Sequence, residues 1–342
     1  MKSFEKVVAL VLCFMLTLSL AASGQQNQQT QGSDSKNIST MTLKLAHATQ
    51  TTHPYHIAAV KFAELVSSKS NGRLIIEIYP SRMLGDDGEI AEQIMNGTID
   101  MGVIAGTVLS KYTPLLDTLQ LPFLLNSYDK EFKALKSNEM KEILLGLEPF
   151  NLKGLGIFEG GMRYIANNVR PINKPDDLKG IKLRVAPSNL LLENLKALGA
   201  NPTPMAYGEL YSGLQTKVID GEEINLTSIY SEKHYEVLKY VSLVPLFPFP
   251  GLCAINLQKF NKLNLEDQRI LEEASNEALD YIKTQLDQID AKALQTIKEM
   301  NVQVNEIADL NPFLEKTKVI YDTYTAKDPR IKNFVEMANN LK

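Results

Sequence analysis

The stretch IKLRVAPSNLLLENLKALGANPTPMAYGELYSGLQTKVIDGEEINL, residues 181–226, decides the fold of this 342-residue chain. It reads as a strand, a turn, a helix, a proline-bracketed segment and another short helix. The strand's apolar residues alternate with the cations Lys182 and Arg184, which predicts that Arg184 faces away from the core-packing set. Ser188 or Asn189 can cap the helix that follows.

Arg184 stands where this strand gives way to the turn, beside the start of the helix. A guanidinium at that position is well placed to hold a carboxylate, because it matches the two oxygens with parallel hydrogen bonds. The alternative is that Arg184 pairs with an acidic neighbour, such as Asp220 or Glu223. The first interpretation predicts a binding device that needs no catalytic group.

Short β-like runs alternate with helical patterns through the rest of the chain, which favours parallel, doubly wound α/β sheets. The pattern predicts strands at 43–46, 74–79, 100–104 and 155–158, and helices at 56–69 and 87–96. Apolar residues at helical spacing predict one further helix over about 265–300, capped by Asn264. Such a helix would be about 50 Å long, so we expect it to cross from one lobe to another.

The first 24 residues have the pattern of a cleaved secretory signal peptide. Lys2 and Lys6 precede an apolar run, and small residues end it near Ala21–Gly24. We expect cleavage between Ala21 and Gln25 and no lipid anchor, since no cysteine follows the small residues. The polar segment 25–40 is predicted to be a disordered tether. The mature protein is therefore expected in a periplasm.

Charge and cysteine content narrow the class of partner. Loss of residues 1–24 removes two of 36 basic and one of 40 acidic residues, which leaves 34 and 39, a net charge of −5. No basic excess therefore indicates nucleic acid or anionic lipid as a partner. Only Cys253 remains after cleavage, so no intramolecular disulfide is possible. About 300 residues suffice for two lobes, each with its own core.

Several short motifs follow one another along the mature chain, and their order and spacing together resemble those of one family. They are PSRMLG at 80–85, GTIDM at 97–101, LPF at 121–123, RPI at 170–172, DLKG at 177–180, KLRV at 182–185, ALGA at 197–200, PTPM at 202–205, LQT at 214–216 and DG at 220–221. From about Leu43 onward the chain resembles the solute-binding receptors of tripartite ATP-independent periplasmic (TRAP) transporters, in the dicarboxylate-receptor-like family.

The resemblance implies a two-lobe periplasmic binding protein with a hinge, which closes on an organic acid. By resemblance, lobe I comprises 41–160 and about 249–288, and lobe II comprises 161–248 and about 289–342. The arginine matching Arg184 holds the ligand carboxylate in that family, and one matching Arg163 assists. Tyr207 matches an aromatic residue that packs over the ligand.

The chain departs from the family at two places. Ile224 occupies the place of an asparagine that reaches the ligand, and Asn225 falls one position late, on the opposite strand face. In the segment 105–108, Ala105 and Val108 replace a glutamate and an arginine of the sialic-acid receptors, beside Thr107. The predicted ligand site comprises Arg184, Arg163, Tyr207, Ile224, Thr107, Asn225 and His47. The lost polar groups favour a simple carboxylate over a sugar acid.

Possible metal, cofactor and catalytic signals in the sequence are weaker. His53 and His56 are separated by Pro54 and lack further ligands, so we expect no metal. No phosphate loop, dinucleotide fingerprint or nucleophile elbow is present, so we expect no cofactor and no enzyme activity. The acidic cluster of Asp86, Asp87 and Glu89 is interpreted as a helix start.

The sequence predicts a periplasmic receptor, monomeric by default, that delivers a small organic acid to the integral membrane subunits of a TRAP transporter. Two alternatives stay open. The same fold could present its ligand to another import system or to a sensor kinase. A secreted hydrolase or lyase would instead use the cluster at 86–89 for catalysis, and turnover of an acid would reveal it.

Overall fold

The computed structural model describes residues 40–341. The predicted signal peptide, and the predicted tether apart from Thr40, lie outside the described residues. The strands are β1 (Met41–His47), β2 (Leu74–Tyr79), β3 (Met101–Ala105), β4 (Leu152–Asn167), β5 (Lys182–Val185), β6 (Asn201–Pro204), β7 (Gly221–Asn225), β8 (Tyr240–Asn256) and β9 (Gln303–Glu306). The helices are α1 (Pro54–Lys69), α2 (Asp87–Asn96), α3 (Tyr128–Leu135), α4 (Asn138–Leu145), α5 (Asn189–Ala197), α6 (Leu210–Gln215), α7 (Leu226–Ser231), α8 (Leu257–Asn261), α9 (Leu265–Glu299), α10 (Asn311–Thr325) and α11 (Pro329–Asn340).

The strands form one mixed sheet in the order β2-β1-β3-β8-β4-β7-β5-β6, with β9 paired to β8. The two ends of the sheet are parallel, as the alternation of strands and helices predicts. The centre differs from the prediction, because the long strands β4 and β8 pair antiparallel with each other and with β7 and β3. The protein is therefore an α/β two-lobe structure whose lobes share two long central strands.

The β4–β8 pair is irregular where it passes between the lobes. Its register shifts between Glu159 and Met162, and Pro250 and Pro248 lie opposite these two residues. Proline has no N–H to donate, so within a sheet it is confined to edges and irregularities. The prolines of β8 are tolerated because the ladder is already broken there. Gly161 adopts a φ of +117°, which a side chain would strain.

The core falls into separate clusters on the two sides of this crossing. The first packs β1, β2 and β3 against α1, α2 and the first part of α9. The other two lie around β5 and β7. Helix α9 contributes Leu271 and Ile282 to the first cluster, and Ala293 and Ile297 to the third. This confirms the predicted long helix that crosses both lobes.

The C-terminal helices differ from the predicted division. Phe334 and Ala338 of α11, and Tyr324 of α10, belong to the first cluster, although 289–342 was assigned to lobe II. Phe313 of α10 alone among the apolar residues of these two helices joins the second cluster in the described chain. After α9 the chain thus packs again on the first core cluster, and the lobe boundaries stay a prediction. Within residues 40–341, no helix combines the length and apolarity needed to cross a membrane.

Candidate functional site

A cavity of about 690 Å³ lies between the two sides of the molecule. Residues 86–89 and parts of 105–111 line it on the side of the first core. Parts of 184–192 and 204–209 line the other side. Arg163 and Phe249, from the two long central strands, complete the lining. Ligand sites of this fold type lie at the carboxyl ends of parallel strands, and β3 and β5 both end at this cavity.

Arg184 lines the cavity, at the end of β5, and is only 2% exposed. Its Nε donates a hydrogen bond to the carbonyl oxygen of Met205 at 2.9 Å. Its Nη1 has no hydrogen-bond partner among the described residues, and Glu223 Oε1 lies 3.9 Å from it. Burial lowers the pKa of this guanidinium, and the charge of Glu223 opposes that change. Arg184 therefore lines the cavity with an Nη1 group whose two N–H donors have no partner in the described chain.

Arg163 also lines the cavity, but its guanidinium is largely engaged by the protein. Its Nε donates to the Glu223 carboxylate and its Nη2 to the Glu223 carbonyl oxygen, the latter at 2.6 Å. The guanidinium lies over the Phe249 ring at 4.6 Å from the ring centre. Arg163 thus has an acid partner of its own, whereas the predicted role was a second contact to the ligand.

Glu223 is the central acid of the site, and the predicted ligand set does not include it. It is fully buried on β7, and its Oε1 also accepts a hydrogen bond from the Ala186 amide at 3.1 Å. The sequence offered it only as a possible partner of Arg184. Asp220, the other candidate, instead accepts from the Lys182 amide at 2.9 Å. The available signal was an acidic residue on β7, the strand between the two strands that carry Arg163 and Arg184.

Ile224 and Asn225 also belong to the predicted ligand set, but the structure does not place them in the cavity lining. Side chains alternate along β7, so Ile224 points into the third core cluster and is fully buried there. The Asn225 amide group donates to the Gly160 carbonyl at 2.6 Å, which fastens β7 to the irregular part of β4. Both positions therefore serve packing and strand alignment.

His47 is likewise outside the cavity lining. Its Nε2 lies 3.0 Å from His56 Nδ1, and its Nδ1 lies 3.1 Å from Thr49 Oγ1. Burial, followed by the neighbouring His56, lowers the pKa of His47 to about 3. Among residues 40–341, no three histidine, cysteine or acidic side chains come together so that they could hold a metal ion.

Thr107 and Tyr207, which belong to the predicted ligand set, line the cavity. The Thr107 hydroxyl is buried and has no hydrogen-bond partner within the described part of the chain. The Tyr207 hydroxyl donates to Ser228 Oγ at 3.1 Å, which holds the ring in place, and burial raises its pKa. Thr107 is therefore a free polar group, and Tyr207 presents a fixed aromatic ring.

The acidic residues at the start of α2 have two separate roles. Asp86 and Glu89 form a capping box, which confirms their interpretation as a helix start. Asp87 points inward, lines the cavity and accepts a hydrogen bond from the Ala105 amide at 3.0 Å. Burial, and then the charge of Asp86, raise the pKa of Asp87 to about 7, although Arg184 acts in the opposite direction. The sequence interpretation missed this cavity residue.

Comparison with known proteins supplies the wider context. Residues 45–328 match the model of the bacterial extracellular solute-binding protein family 7. The chain is similar to the 2,3-diketo-L-gulonate-binding periplasmic protein YiaO of Escherichia coli, with 32% identity over 80% of this chain and 83% of that protein. The C4-dicarboxylate-binding protein DctB of Bacillus subtilis is 31% identical over 78% of this chain and 76% of its own length.

Solved structures, among them a TRAP periplasmic solute-binding protein, superpose over nearly the whole described chain. A protein from a Sulfitobacter species with bound β-D-galacturonate gives a TM-score of 0.82 at 28% identity, covering 88% of this chain and 100% of that one. The sugar acid binding protein DctPAm of Advenella mimigardefordensis, in complex with galactonate, gives 0.84 at 28% identity, covering 89% and 99%.

Proposed function

Because this chain belongs to family 7 of the bacterial extracellular solute-binding proteins, we propose that it holds one acidic solute between its lobes and delivers it to a TRAP-type membrane transporter. Arg184 carries the recognition step in this proposal. Arg184 lines the cavity, and its buried Nη1 has no hydrogen-bond partner among residues 40–341; this is the observation on which the assignment rests. A buried donor left unpaired is costly, and a ligand carboxylate would satisfy it.

The surroundings of Arg184 support one carboxylate with hydroxyl groups as the ligand. Across the cavity lie the Asp87 carboxyl and the Thr107 hydroxyl, both of which can hydrogen-bond to hydroxyls. A second carboxylate at that end would meet Asp86 and Asp87, so the acidic side disfavours dicarboxylates. The sugar acids held by the similar structures agree with this choice. The simple carboxylate favoured by the sequence lacks hydroxyls for these groups.

The remaining parts of the proposal concern the setting of the protein. A periplasmic location is part of the proposal and is supported by the periplasmic protein to which the chain is similar. The signal peptide, the monomeric state and the absence of nucleic-acid binding and catalysis are parts of the same proposal. Recovery of the bound acid unchanged, one per chain, would support a receptor, whereas conversion of the acid would support an enzyme. Genes for two membrane subunits next to this one would favour TRAP transport over sensing.

The proposal is tested by screening organic acids for thermal stabilisation of the mature protein and then measuring affinity by calorimetry. A ligand at about 100 times its dissociation constant should stabilise the protein by about 2.7 kcal/mol. Arg184→Ala should weaken binding at least about 100-fold, because two charged hydrogen bonds of about 1.5–3 kcal/mol each are lost. Its apo melting temperature should change little.

Arg269→Ala is the matched control, since Arg269 is an exposed arginine that pairs with Glu273 within α9. It should bind like the unmodified protein. Tight carboxylate binding by folded Arg184→Ala would refute the assignment of that residue. Failure of every sugar acid and every simpler acid to stabilise the protein would refute the proposed ligand class.

A further inference from the structure

A second arginine–carboxylate pair joins the two sides of the molecule outside the cavity lining. Arg82, in the turn between β2 and α2, places Nη1 and Nη2 each 3.0 Å from the two carboxylate oxygens of Glu232. Glu232 directly follows α7, whose Ile229 packs in the third core cluster. The turn that bears Arg82 joins elements of the first cluster. The pair is therefore a two-pronged ion pair across the cleft.

Neighbouring groups hold both side chains in this geometry. Arg82 Nη1 also donates to the Ala48 carbonyl at 3.1 Å, and the Gln50 amide reaches Glu232 at 3.5 Å. Ser81 Oγ in turn donates to Gln50 Oε1 at 3.0 Å. The Arg82 and Glu232 side chains are only 25% and 12% exposed. Partial burial and bidentate geometry distinguish this pair from ordinary surface ion pairs, which contribute little.

The backbone of the turn supports a specific role for Arg82. Ser81 and Arg82 both adopt positive φ, at 55° and 63°, although neither is glycine. Such conformations cost free energy and persist only when surrounding contacts fix them. The Ser81 amide donates to the Thr49 carbonyl at 2.9 Å, which anchors the turn on lobe I. The turn is thus held in a shape that directs Arg82 towards Glu232.

Tyr207 connects the pair to the ligand site. The Arg82 guanidinium lies 5.5 Å from the centre of the Tyr207 ring, and Tyr207 lines the cavity. Neither Arg82 nor Glu232 lines the cavity itself. Two weaker contacts also bridge the cleft, from the Gly208 amide to Asp86 at 2.8 Å and between Ser110 and Ser188 at 3.2 Å. The ion pair can therefore stabilise the bridged arrangement without contacting a solute.

We propose that Arg82 and Glu232 form a latch that stabilises the closed cleft and slows release of whichever acid is bound. This inference rests on the proposed receptor function. Opening of the cleft would separate the two charges, so the pair contributes to the closed state alone and shifts the open–closed equilibrium towards it. The latch acts on the lifetime of the complex, and Arg184 determines which solute is recognised.

The test compares Arg82→Gln, Glu232→Gln and the double variant. Each single change leaves one partly buried charge without its partner, so ligand release should become about tenfold faster, while the association rate changes less than threefold. The double variant should be no worse than the worse single variant, because both changes remove the same interaction. Rates are measured by stopped-flow displacement of D-galactonate or D-galacturonate. High salt should reduce the difference in release rate between the variants and the unmodified protein, because it screens the ion pair. Arg269→Gln is the control and should release ligand at the normal rate.

A measurement without ligand separates failure of the latch from failure of the proposed function. Nitroxide labels at Glu64→Cys in α1 and Val218→Cys after α6 report the distance between the two sides, and native Cys253 is buried. The apo distance distribution should shift to longer distances in both single variants. An unchanged distribution together with unchanged release would overturn the latch. A shifted distribution in a protein that binds no acid would preserve the latch and refute the receptor assignment.

Discussion

The two arginines of the cavity differ in their hydrogen-bond partners, although the sequence predicted that both would contact the ligand. Arg163, on the irregular part of β4, gives two hydrogen bonds to Glu223 and lies on the Phe249 ring. Arg184, at the end of β5, gives a hydrogen bond to the Met205 carbonyl, and its Nη1 has no partner in the part of the chain that the structure describes. The difference shows that a cavity-lining cation can hold the protein together or wait for a ligand, depending on where one acid lies.

Strand alignment produces this difference. In the β4–β7 pair Arg163 lies opposite Asn225, and in the β5–β7 pair Arg184 lies opposite Glu222. Glu223 is thus close to both arginines but directs Oε2 to Arg163, while its Oε1 accepts from the Ala186 amide. We infer that Arg163 and Glu223 form a structural unit that positions the wall from which Arg184 reaches the ligand.

Glu223→Gln tests this structural unit and should give the largest effect. The change removes the countercharge of a buried arginine, and breaking a buried ion pair costs about 3–5 kcal/mol of unfolding free energy. Affinity for the acid should not fall, because the variant removes a negative charge that lies 3.9 Å from Arg184 Nη1. Denaturant unfolding and calorimetry measure the two effects.

Glu273→Gln is the control for this experiment. Glu273 forms exposed ion pairs with Arg269 and Lys69, so its loss should change stability by less than about 0.5 kcal/mol. A Glu223→Gln protein as stable as the control would contradict the structural role of Glu223. A loss of affinity without a loss of stability would mean that Glu223 itself contacts the ligand.

The sequence predicted the elements that local signals define. Ser188 and Asn264 cap their helices as expected, because an N-cap needs only a hydroxyl or amide next to the first turn. The second long central strand, β8, was not predicted as a strand. Pro245, Pro248 and Pro250 argue against a strand interior, and they are accommodated only because the β4 register slips beside it.

A site residue was predictable where its position along a strand places it in the cavity. It was unpredictable where a contact with a residue distant in sequence places it there. Arg184 follows from its place at the end of a strand. Asp87 looked like one more acid of a helix start, and its place in the cavity depends on the Ala105 amide of another element. The resemblance to the family marked position 224 as ligand-binding, but alternation along β7 turns Ile224 into the core.

Conservative lysine substitutions compare the two arginines directly in a binding assay. Lysine keeps the charge but cannot give the two parallel hydrogen bonds of a guanidinium. Arg184→Lys should therefore weaken carboxylate binding by about 1.5–3 kcal/mol, the value of one charged hydrogen bond, with little change in stability. Arg163→Lys should mainly lower stability, because its hydrogen bonds are to Glu223.

Calorimetry should show a loss of affinity in Arg184→Lys, and thermal unfolding should show a loss of stability in Arg163→Lys. Equal losses of affinity would mean that both arginines contact the ligand, as the sequence predicted. An Arg184→Lys variant that binds normally would show that charge alone suffices at that position, and the importance of the free Nη1 would be refuted.

The smallest expected effect is the change that each arginine makes in the pH dependence due to Asp87. The pKa of this buried carboxyl is raised to about 7, against about 3.9 in an unfolded chain. Its contribution to stability is therefore fully present below about pH 4 and is lost as pH rises through about 7. Asp87→Asn should accordingly gain melting temperature relative to the unmodified protein between pH 5 and pH 8.

The comparison with Asp87→Asn is needed because buried histidines change the stability of the protein with pH in the opposite direction. Burial lowers the pKa values of His47 and His53, so their contribution is lost as pH falls, but it cancels between the two proteins. Arg184, followed by Arg82, lowers the pKa of Asp87, and Arg163 is not one of its main influences. The pH-dependent difference should therefore grow in an Arg184→Met background and stay unchanged in an Arg163→Met background. Equal changes in both backgrounds would show that the two arginines act on the acidic side of the cavity alike, and the contrast between them would then lie only in their hydrogen bonds.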